Sequence, residues 1–268
     1  MVKKIRCNPV FYSIFLGLML SFLYGGFSSL FRGLSEHLGT FELQLMSSIR
    51  DIIFVVCAIF LLGIIQQTNG FKYIFKKKGI AKGVVVLVPI IILYIFGLLL
   101  NTSGFIFSDS EAVAIFPLVA FSQATSAFAQ NILFRGLLVT GLFMKFSNTK
   151  GERVRSVFIA SALYFIIYIP LNLVDGGIGL MQIINTFVAG AGFCAAYLYS
   201  KNLLGLVFVQ AVWLISGAGI ALFGVESNAE FSPLLGIIVL LIYLAIISFA
   251  VIFSRRAEPF NNSTCCTS

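Results

Sequence analysis

The sequence predicts an all-α, polytopic integral membrane protein, built as a bundle of about eight transmembrane helices with both termini in the cytoplasm. Of its 268 residues, 59% are hydrophobic and only 10% are charged, and the mean hydropathy is +1.03. A soluble domain averages about 45–50% apolar and about 25% charged residues. Apolar runs also recur at close to the ~20 residues that cross a bilayer. The chain 1–268 is therefore predicted to form a single membrane domain.

The apolar runs, taken in order, place the helices. A basic flank containing Lys3, Lys4 and Arg6 precedes the first run, which is too long for a signal peptide and has no small-residue cleavage site after it. The predicted spans are 9–31, 45–65, 83–100, 112–146, 154–173, 180–200, 203–225 and 233–253. The fourth run exceeds one membrane thickness, so its first part is expected to lie along the interface or to break near Pro117.

The distribution of charge orients the bundle. With the N-terminus in the cytoplasm, most of the 18 Lys and Arg residues fall in cytoplasmic segments and most of the 10 acidic residues fall in external ones, as the positive-inside rule requires. The lysine-rich loop at 76–78 is predicted to fix topology and to contact anionic lipid headgroups. The formal charge of +8 therefore does not indicate a nucleic-acid partner.

Few residues in the predicted spans can carry acid–base or metal chemistry. The one histidine, His37, falls in the first external loop, and Asp51 is the one carboxylate inside a span. No three-ligand metal site can be built from this set, so neither a metal nor a cofactor is predicted. Arg50 and Asp51 are interpreted as an interfacial pair that ties helices together or marks the end of the second span. Sequence neighbours point ~100° apart on a helix, so the two need not contact each other.

The segment Gln130-Asn131-Ile132-Leu133-Phe134-Arg135-Gly136 places amides and an arginine deep inside the fourth apolar run. A charged residue at the centre of a membrane helix costs ~2.5–3.5 kcal/mol on insertion scales, so it marks a functional or structural hub. Asn131 and Arg135 are four residues apart and share one helix face. Arg135 is expected either to extend to the cytoplasmic surface or to hydrogen-bond across the bundle.

This segment resembles the first signature, Glu-Glu-x-x-x-Arg, of the CPBP (Abi) family of CAAX-protease and bacteriocin-processing membrane proteins. Residues 161–165 resemble the start of the second signature, Phe-x-x-x-His, which puts its histidine at position 169. Residues 187–202 resemble a glycine-containing helix and turn of the family. Residues 208–211 resemble the third signature, with a histidine at 210 and an asparagine at about 214. Together these motifs define a CPBP-like core region at 112–217.

The departures from the family pattern fall on the residues that the family uses for catalysis. The family-site positions are occupied here by Gln130, Asn131, Arg135, Ile169 (or Tyr168 if the register shifts by one), Gln210 and Leu214. The resemblance implies that glutamate and histidines would activate a water for peptide hydrolysis. Amide and aliphatic side chains cannot exchange a proton in that way, and an acid–base group typically contributes ~10²–10⁴-fold. No intact catalytic residue is therefore predicted.

The resemblance thus implies a catalytically degenerate member that acts as a scaffold or regulator of a membrane or cell-envelope protein, including a bacteriocin-immunity role. It also implies a multi-pass protein of a bacterial plasma membrane, with membrane lipids as further partners. One alternative is an active intramembrane endopeptidase for prenylated or leader peptides, which requires Cys194, Asp51 or a tyrosine to converge on Gln130 and Gln210. Another is a small-molecule transporter, which requires a solvated midplane cavity and broken helices.

Overall fold

The fold is a bundle of long helices, here described from a computed structural model that covers residues 8–33, 39–65, 78–105, 110–174, 180–226 and 233–259. The elements in chain order are α1 (Pro9–Gly33), α2 (Thr40–Ile65), α3 (Ile80–Asn101), β1 (Thr102–Phe105), α4 (Ser110–Gln130), a π segment (Asn131–Val139), α5 (Thr140–Lys145), α6 (Lys150–Val174), α7 (Leu180–Ser200), α8 (Leu204–Phe223), β2 (Gly224–Glu226) and α9 (Pro233–Arg256).

The prediction of a polytopic helical membrane protein is confirmed. In the part of the chain that the structure describes, seven helical segments are long and apolar enough to cross a membrane, and the uninterrupted stretch Ser110–Lys145 counts as one of them. The helix α6 is not among the seven, and its first turns carry Lys150, Glu152, Arg153 and Arg155. Span boundaries predicted from hydropathy lie within a few residues of the helix ends.

Of the two alternatives for the first part of the fourth run, the break near Pro117 is wrong. Pro117 lies inside the helix α4, which continues into the π segment and α5 without a break. Proline removes one backbone donor, but neighbouring helices can hold such a helix together in a membrane. Here α4 packs against both α2 and α8, and Val119 and Ser122 just beyond the proline are buried.

Two short strands add a detail that the all-α prediction did not contain. β1 and β2 pair antiparallel, with Thr102 opposite Glu226 and Phe105 opposite Gly224. They follow directly on α3 and α8, which pack against each other. The segments that follow α3 and α8 therefore lie side by side, and their pairing gives hydrogen-bond partners to backbone groups that would otherwise have none. The sequence had assigned these residues to a polar loop and to the end of the seventh span.

Small residues allow the helices around the core to approach closely. A Cβ added to Gly192 in α7 would lie 2.5 Å from Ile90 Cδ1 in α3, and one added to Gly17 in α1 would lie 2.6 Å from the backbone nitrogen of Leu138. Small residues of this kind let membrane helices approach one another closely, as the contact at Gly192 shows. The close approach at Gly17 holds α1 against the π segment.

A buried arginine fastens the end of the bundle near the C-terminal end of α9. The Arg153 guanidinium is 6% exposed and donates hydrogen bonds from Nε to Ser254 O at 3.1 Å and from Nη1 to Ser147 O at 2.9 Å. Nη2 also donates to Arg255 O at 3.3 Å. A cation is favourable near the last carbonyls of a helix, which carry partial negative charge. Arg153 thus joins α6, the turn before it and α9.

Candidate functional site

A cluster of amides around an arginine lies at the centre of the bundle, where α4 and the π segment meet α8. Asn131 and Arg135 belong to the π segment, and both are buried, as is Gln210 in α8. Gln130 ends α4 and is half-buried. We call the four side chains Gln130, Asn131, Arg135 and Gln210 the amide–arginine cluster. The three predicted family-site positions on α4 and the π segment are thus brought together with position 210.

The π segment sets the direction of the arginine. The backbone N–H of Thr140 donates to Arg135 O, five residues earlier, which is the wider spacing of a π-helix. The Thr140 hydroxyl donates to the same carbonyl at 3.2 Å and also contacts the Tyr197 hydroxyl at 2.6 Å. Such segments are frequent at functional sites because they re-aim side chains within a continuous helix.

Hydrogen bonds within the cluster connect every member to another. Arg135 Nη1 donates to Asn131 Oδ1 at 2.6 Å and to Gln210 Oε1 at 3.0 Å. Asn131 Nδ2 donates to Gln210 Oε1 at 2.9 Å, and Gln210 Nε2 donates to Gln130 Oε1 at 2.6 Å. The predicted common face of Asn131 and Arg135 is confirmed by their direct bond. Of the two alternatives for Arg135, the structure shows the bond across the bundle.

Aromatic rings enclose the guanidinium. Its carbon lies 4.5 Å from the centroid of the Phe193 ring and 5.3 Å from that of Tyr164. The side chain is only 1% exposed, and within the described residues it forms no ion pair. Its Nε has no hydrogen-bond partner there either. Ring faces and amide oxygens, rather than a carboxylate, therefore stabilise this buried cation.

A second polar group, the pair Arg50 and Asp51 of α2, lies beside the cluster. Arg50 and Asp51 do contact each other, with Arg50 Nη2 2.6 Å from Asp51 Oδ1, because the long arginine side chain folds back onto its neighbour. Thr125 of α4 donates to Asp51 Oδ2 at 3.4 Å, and the Arg50 guanidinium lies 4.9 Å from the centroid of the Tyr24 ring. The pair therefore joins α2 to α4 and α1, in line with its interpretation as a tie between helices.

A chain of hydroxyl groups connects this ion pair to the amide–arginine cluster. The Tyr24 hydroxyl contacts Ser126 Oγ at 3.0 Å, and Ser126 Oγ accepts a hydrogen bond from Gln130 Nε2 at 3.2 Å. Ser122, Ser126 and Gln130 follow one another at intervals of four residues along α4. That spacing on one helix face is a signal in the sequence that could have placed these hydroxyls beside Gln130.

A polar cavity of about 190 Å³ opens between α1, α2 and α4 at this point. We call it the polar cavity; its lining residues are Tyr24, Ser28, Leu43, Gln44, Ser47, Arg50, Asp51, Ser122, Gln123, Ser126 and Gln130. Hydroxyls and amides dominate this lining, and its two charged groups are paired with each other. Gln130 is the one member of the amide–arginine cluster that reaches the cavity wall.

Among the described residues, the remaining predicted positions contribute no hydrogen bond to the cluster. Ile169 lies in α6, with its side chain outside the described residues, and Leu214 is a half-buried aliphatic residue of α8. His37 also lies outside the described residues. Cys194 is fully buried. Within the described ranges, no group of three His, Cys, Asp or Glu side chains is placed to hold a metal ion.

Residues important to the cluster also include some that the sequence did not single out. Tyr164 donates to Gln130 Oε1 at 3.4 Å and packs its ring against Phe134. Phe193 covers the guanidinium of Arg135 from α7. Both are aromatic residues in apolar helices, a pattern that does not distinguish them from ordinary core residues. Only the packing of α6 and α7 against their neighbours reveals their role.

A known protein family matches the part of the chain that contains these motifs. Residues 112–216 match the family model for type II CAAX prenyl endopeptidase Rce1-like proteins. The chain carries an Rce1-like, CPBP-family domain. This domain begins in α4 and ends in α8, so it contains the entire amide–arginine cluster. Neither the curated proteins nor the solved structures gave a match to the chain.

Proposed function

We propose that this protein is a catalytically degenerate CPBP-type membrane protein that acts by binding a membrane or cell-envelope protein. The observation that carries the proposal is the amide–arginine cluster. At the positions where the resemblance calls for glutamates and a histidine, Gln130, Asn131 and Gln210 bond to one another and to Arg135. These amides keep a connected polar interior but cannot serve as general acid or base.

If the protein binds a partner rather than cleaving a peptide, its polar interior is expected to hold the helices together. The cluster joins α4 and the π segment to α8, and Tyr164 adds α6. Hydrogen bonds between membrane helices are typically worth ~0.6–2 kcal/mol each, so a connected set fixes the helix arrangement. A bundle whose helices are fixed in this way presents a rigid outer surface, and that surface is what a partner in the membrane or envelope would recognise. A bacterial plasma membrane and a bacteriocin-immunity role follow from the family resemblance.

Co-purification tests the proposal. Tagged wild-type protein, Gln130→Ala and Asn148→Ala are recovered from native membranes in mild detergent and compared by quantitative mass spectrometry. Asn148 is an exposed amide beyond α5 and serves as the matched control. We expect one membrane or envelope protein to be enriched with wild type and Asn148→Ala and to be reduced, per folded molecule, with Gln130→Ala. Enrichment of no partner over untagged membranes would contradict the proposal.

An active peptidase is the second candidate, and one observation favours it. Asp51 and Gln130 line the same polar cavity, so a carboxylate lies in the space beside the family site. Asp51 is, however, held by Arg50 at 2.6 Å, and among the described residues no hydrogen bond joins it to Gln130 or Gln210. Peptide cleavage by purified protein that is abolished in Asp51→Asn would favour this candidate over the binding role.

A transporter is the third candidate. The observation that favours it is the polar cavity between α1, α2 and α4. A second condition for transport, a broken helix, is not met by the stretch that forms the cluster, because α4, the π segment and α5 run on without interruption. Substrate-dependent flux into vesicles containing the purified protein would be the observation that favours transport.

A further inference from the structure

An apolar groove adjoins the polar cavity on the outer face of α1 and α2. It has a volume of about 460 Å³ and is lined by Phe27, Met46, Ile49, Arg50, Ile53 and Phe54. Apart from Arg50, every lining residue is apolar. Phe27, Ile49 and Ile53 are about half exposed, so the groove opens towards the surroundings of the bundle rather than into its core. In a membrane those surroundings are lipid chains.

Arg50 is the one residue that lines both spaces. Its side chain is 11% exposed, while its partner Asp51 is fully buried. One guanidinium therefore stands at the boundary between a hydrocarbon-lined groove and a cavity lined by hydroxyls and amides. In a phospholipid, the phosphodiester occupies the corresponding position between the acyl chains and the headgroup. A guanidinium is also the side chain best suited to hold a phosphate.

The polar cavity matches an uncharged, hydroxyl-bearing headgroup. Its hydroxyls and amides both donate and accept hydrogen bonds, as sugar and glycerol hydroxyls do. Its one carboxylate, Asp51, is already bound by Arg50 and Thr125. A headgroup ammonium would therefore have no carboxylate reserved for it. With a volume of about 190 Å³, the cavity has room for more than a single water molecule.

The charge behind the cavity also favours an anion. Gln130 forms part of the cavity wall and accepts a hydrogen bond from Gln210, which in turn accepts one from Arg135. Arg135 forms no ion pair within the described residues, so the buried charge on this side of the bundle is positive in sum. In a low-dielectric interior such a charge acts over a longer distance than in water.

The position of the two spaces suits a lipid of one leaflet. The stretch from Leu43, at the cavity, to Phe54, in the groove, spans about 16 Å of helix at ~1.5 Å per residue. That distance is about half of the ~30 Å hydrocarbon thickness. On the topology predicted from charge, this half of α2 faces the external leaflet.

We infer that the groove and the polar cavity together bind one phospholipid of the phosphatidylglycerol type. In such a lipid, the group attached to the phosphodiester is uncharged and carries hydroxyls. The acyl chains lie along Phe27, Ile49 and Ile53, the phosphodiester contacts Arg50, and the headgroup hydroxyls enter the cavity. This inference does not depend on the proposed function, because it concerns a lipid and is tested with purified protein in the absence of any protein partner.

The test is native mass spectrometry of the full chain, delipidated in detergent and offered equal amounts of phosphatidylglycerol, phosphatidylethanolamine and glucosyl-diacylglycerol. The variants are Ser47→Leu, which fills the cavity, and Ile49→Trp, which fills the groove. Ile52→Trp is the matched control, because Ile52 is a similarly exposed isoleucine of α2 that lines neither space. Circular dichroism and Tm establish that each variant is folded.

The expected result is one phosphatidylglycerol retained per wild-type chain, in preference to the other two lipids. Retention falls by ~5- to 150-fold in Ser47→Leu and Ile49→Trp, which corresponds to the ~1–3 kcal/mol cost of overpacking a filled site, and stays unchanged in Ile52→Trp. Equal retention by all folded variants would overturn the site. Preference for glucosyl-diacylglycerol would overturn the role of Arg50, and preference for phosphatidylethanolamine would overturn the headgroup assignment.

Discussion

Arg135 donates a hydrogen bond from Nη1 to the Oε1 of Gln210, 3.0 Å away, and so joins the π segment to α8. The same oxygen accepts a second hydrogen bond, from Asn131 Nδ2 at 2.9 Å. A single side-chain carbonyl thus compensates two buried donors from the neighbouring helix. Because buried polar groups are costly when left without partners, Gln210 is predicted to contribute more to the stability of the folded protein than an exposed glutamine does.

Replacing Gln210 by alanine is expected to destabilise the protein. The change leaves donors of Asn131 and Arg135 and the Oε1 of Gln130 short of a partner, at ~1–3 kcal/mol for each group that stays unsatisfied. A lower Tm in detergent, followed by intrinsic fluorescence, checks the prediction. Val212→Ala, at an exposed position of the same helix, serves as the control. Equal Tm values for the two variants would show that the network contributes nothing to stability.

Arg135 is expected to tolerate neither alanine nor lysine. Alanine removes the centre of the cluster, and lysine keeps the charge but loses the planar group that packs against Phe193 and bonds to both amide oxygens. Both variants should show lower membrane levels and lower Tm than wild type. Lys145→Ala, at the exposed end of α5, should behave as wild type. Wild-type levels and Tm for Arg135→Lys would mean that charge alone suffices.

The anchoring role of Arg153, the second buried arginine, can be tested against the exposed Arg155 of the same helix. Arg153→Ala should destabilise the contact between α6 and α9, since hydrogen bonds to a charged group are worth ~1.5–3 kcal/mol. Four backbone carbonyls lose their donor, those of Ser147, Asn148, Ser254 and Arg255. Arg155→Ala removes an exposed charge two residues further along. We expect faster proteolysis near the C-terminal end of α9 for Arg153→Ala only. The same rate for both variants would contradict the anchoring role.

Restoring one carboxylate should not restore catalysis. Gln130→Glu returns an ionisable group to the first family position, but positions 169 and 210 still carry isoleucine and glutamine. A general base without its partners cannot both activate water and protonate the leaving group. No cleavage of a prenylated CAAX peptide is therefore expected, with an active CAAX endopeptidase assayed alongside as the positive control. Cleavage by this single variant would show that the site is nearly competent.

The sequence was sufficient to predict the membrane helices but not the shape of the site. Apolar runs predict the helices because membrane helices must be long and hydrophobic to satisfy their backbone. The π segment was not predictable, since the residue types of Asn131–Val139 also occur in ordinary α-helices and nothing in their spacing marks the wider turn. The polar cavity was also missed, because it depends on how Tyr24 of α1, Arg50 of α2 and Ser126 of α4 meet in three dimensions.

The approach of Arg50 to Asp51 illustrates the same limit. Helix geometry separates the directions of adjacent residues by ~100°, which gave no reason to expect a bond between them. Burial of Asp51 changes the balance, because an unpaired carboxylate in a low-dielectric interior is costly and the flexible arginine can reach it. Pattern alone predicts which residues are polar and on which helix, while packing decides which of them pair.

Membrane peptidomics tests the central claim, a loss of catalysis in favour of binding, most directly. Cells that lack the protein are compared with cells complemented by wild type or by Gln130→Ala, and membrane-associated precursor and product peptides are quantified. If the protein acts by binding, no precursor peptide accumulates in cells that lack it and is also cleaved by the purified wild-type chain. Accumulation of such a precursor, reversed by wild type and reproduced as cleavage in vitro, would contradict the account and identify the protein as a peptidase.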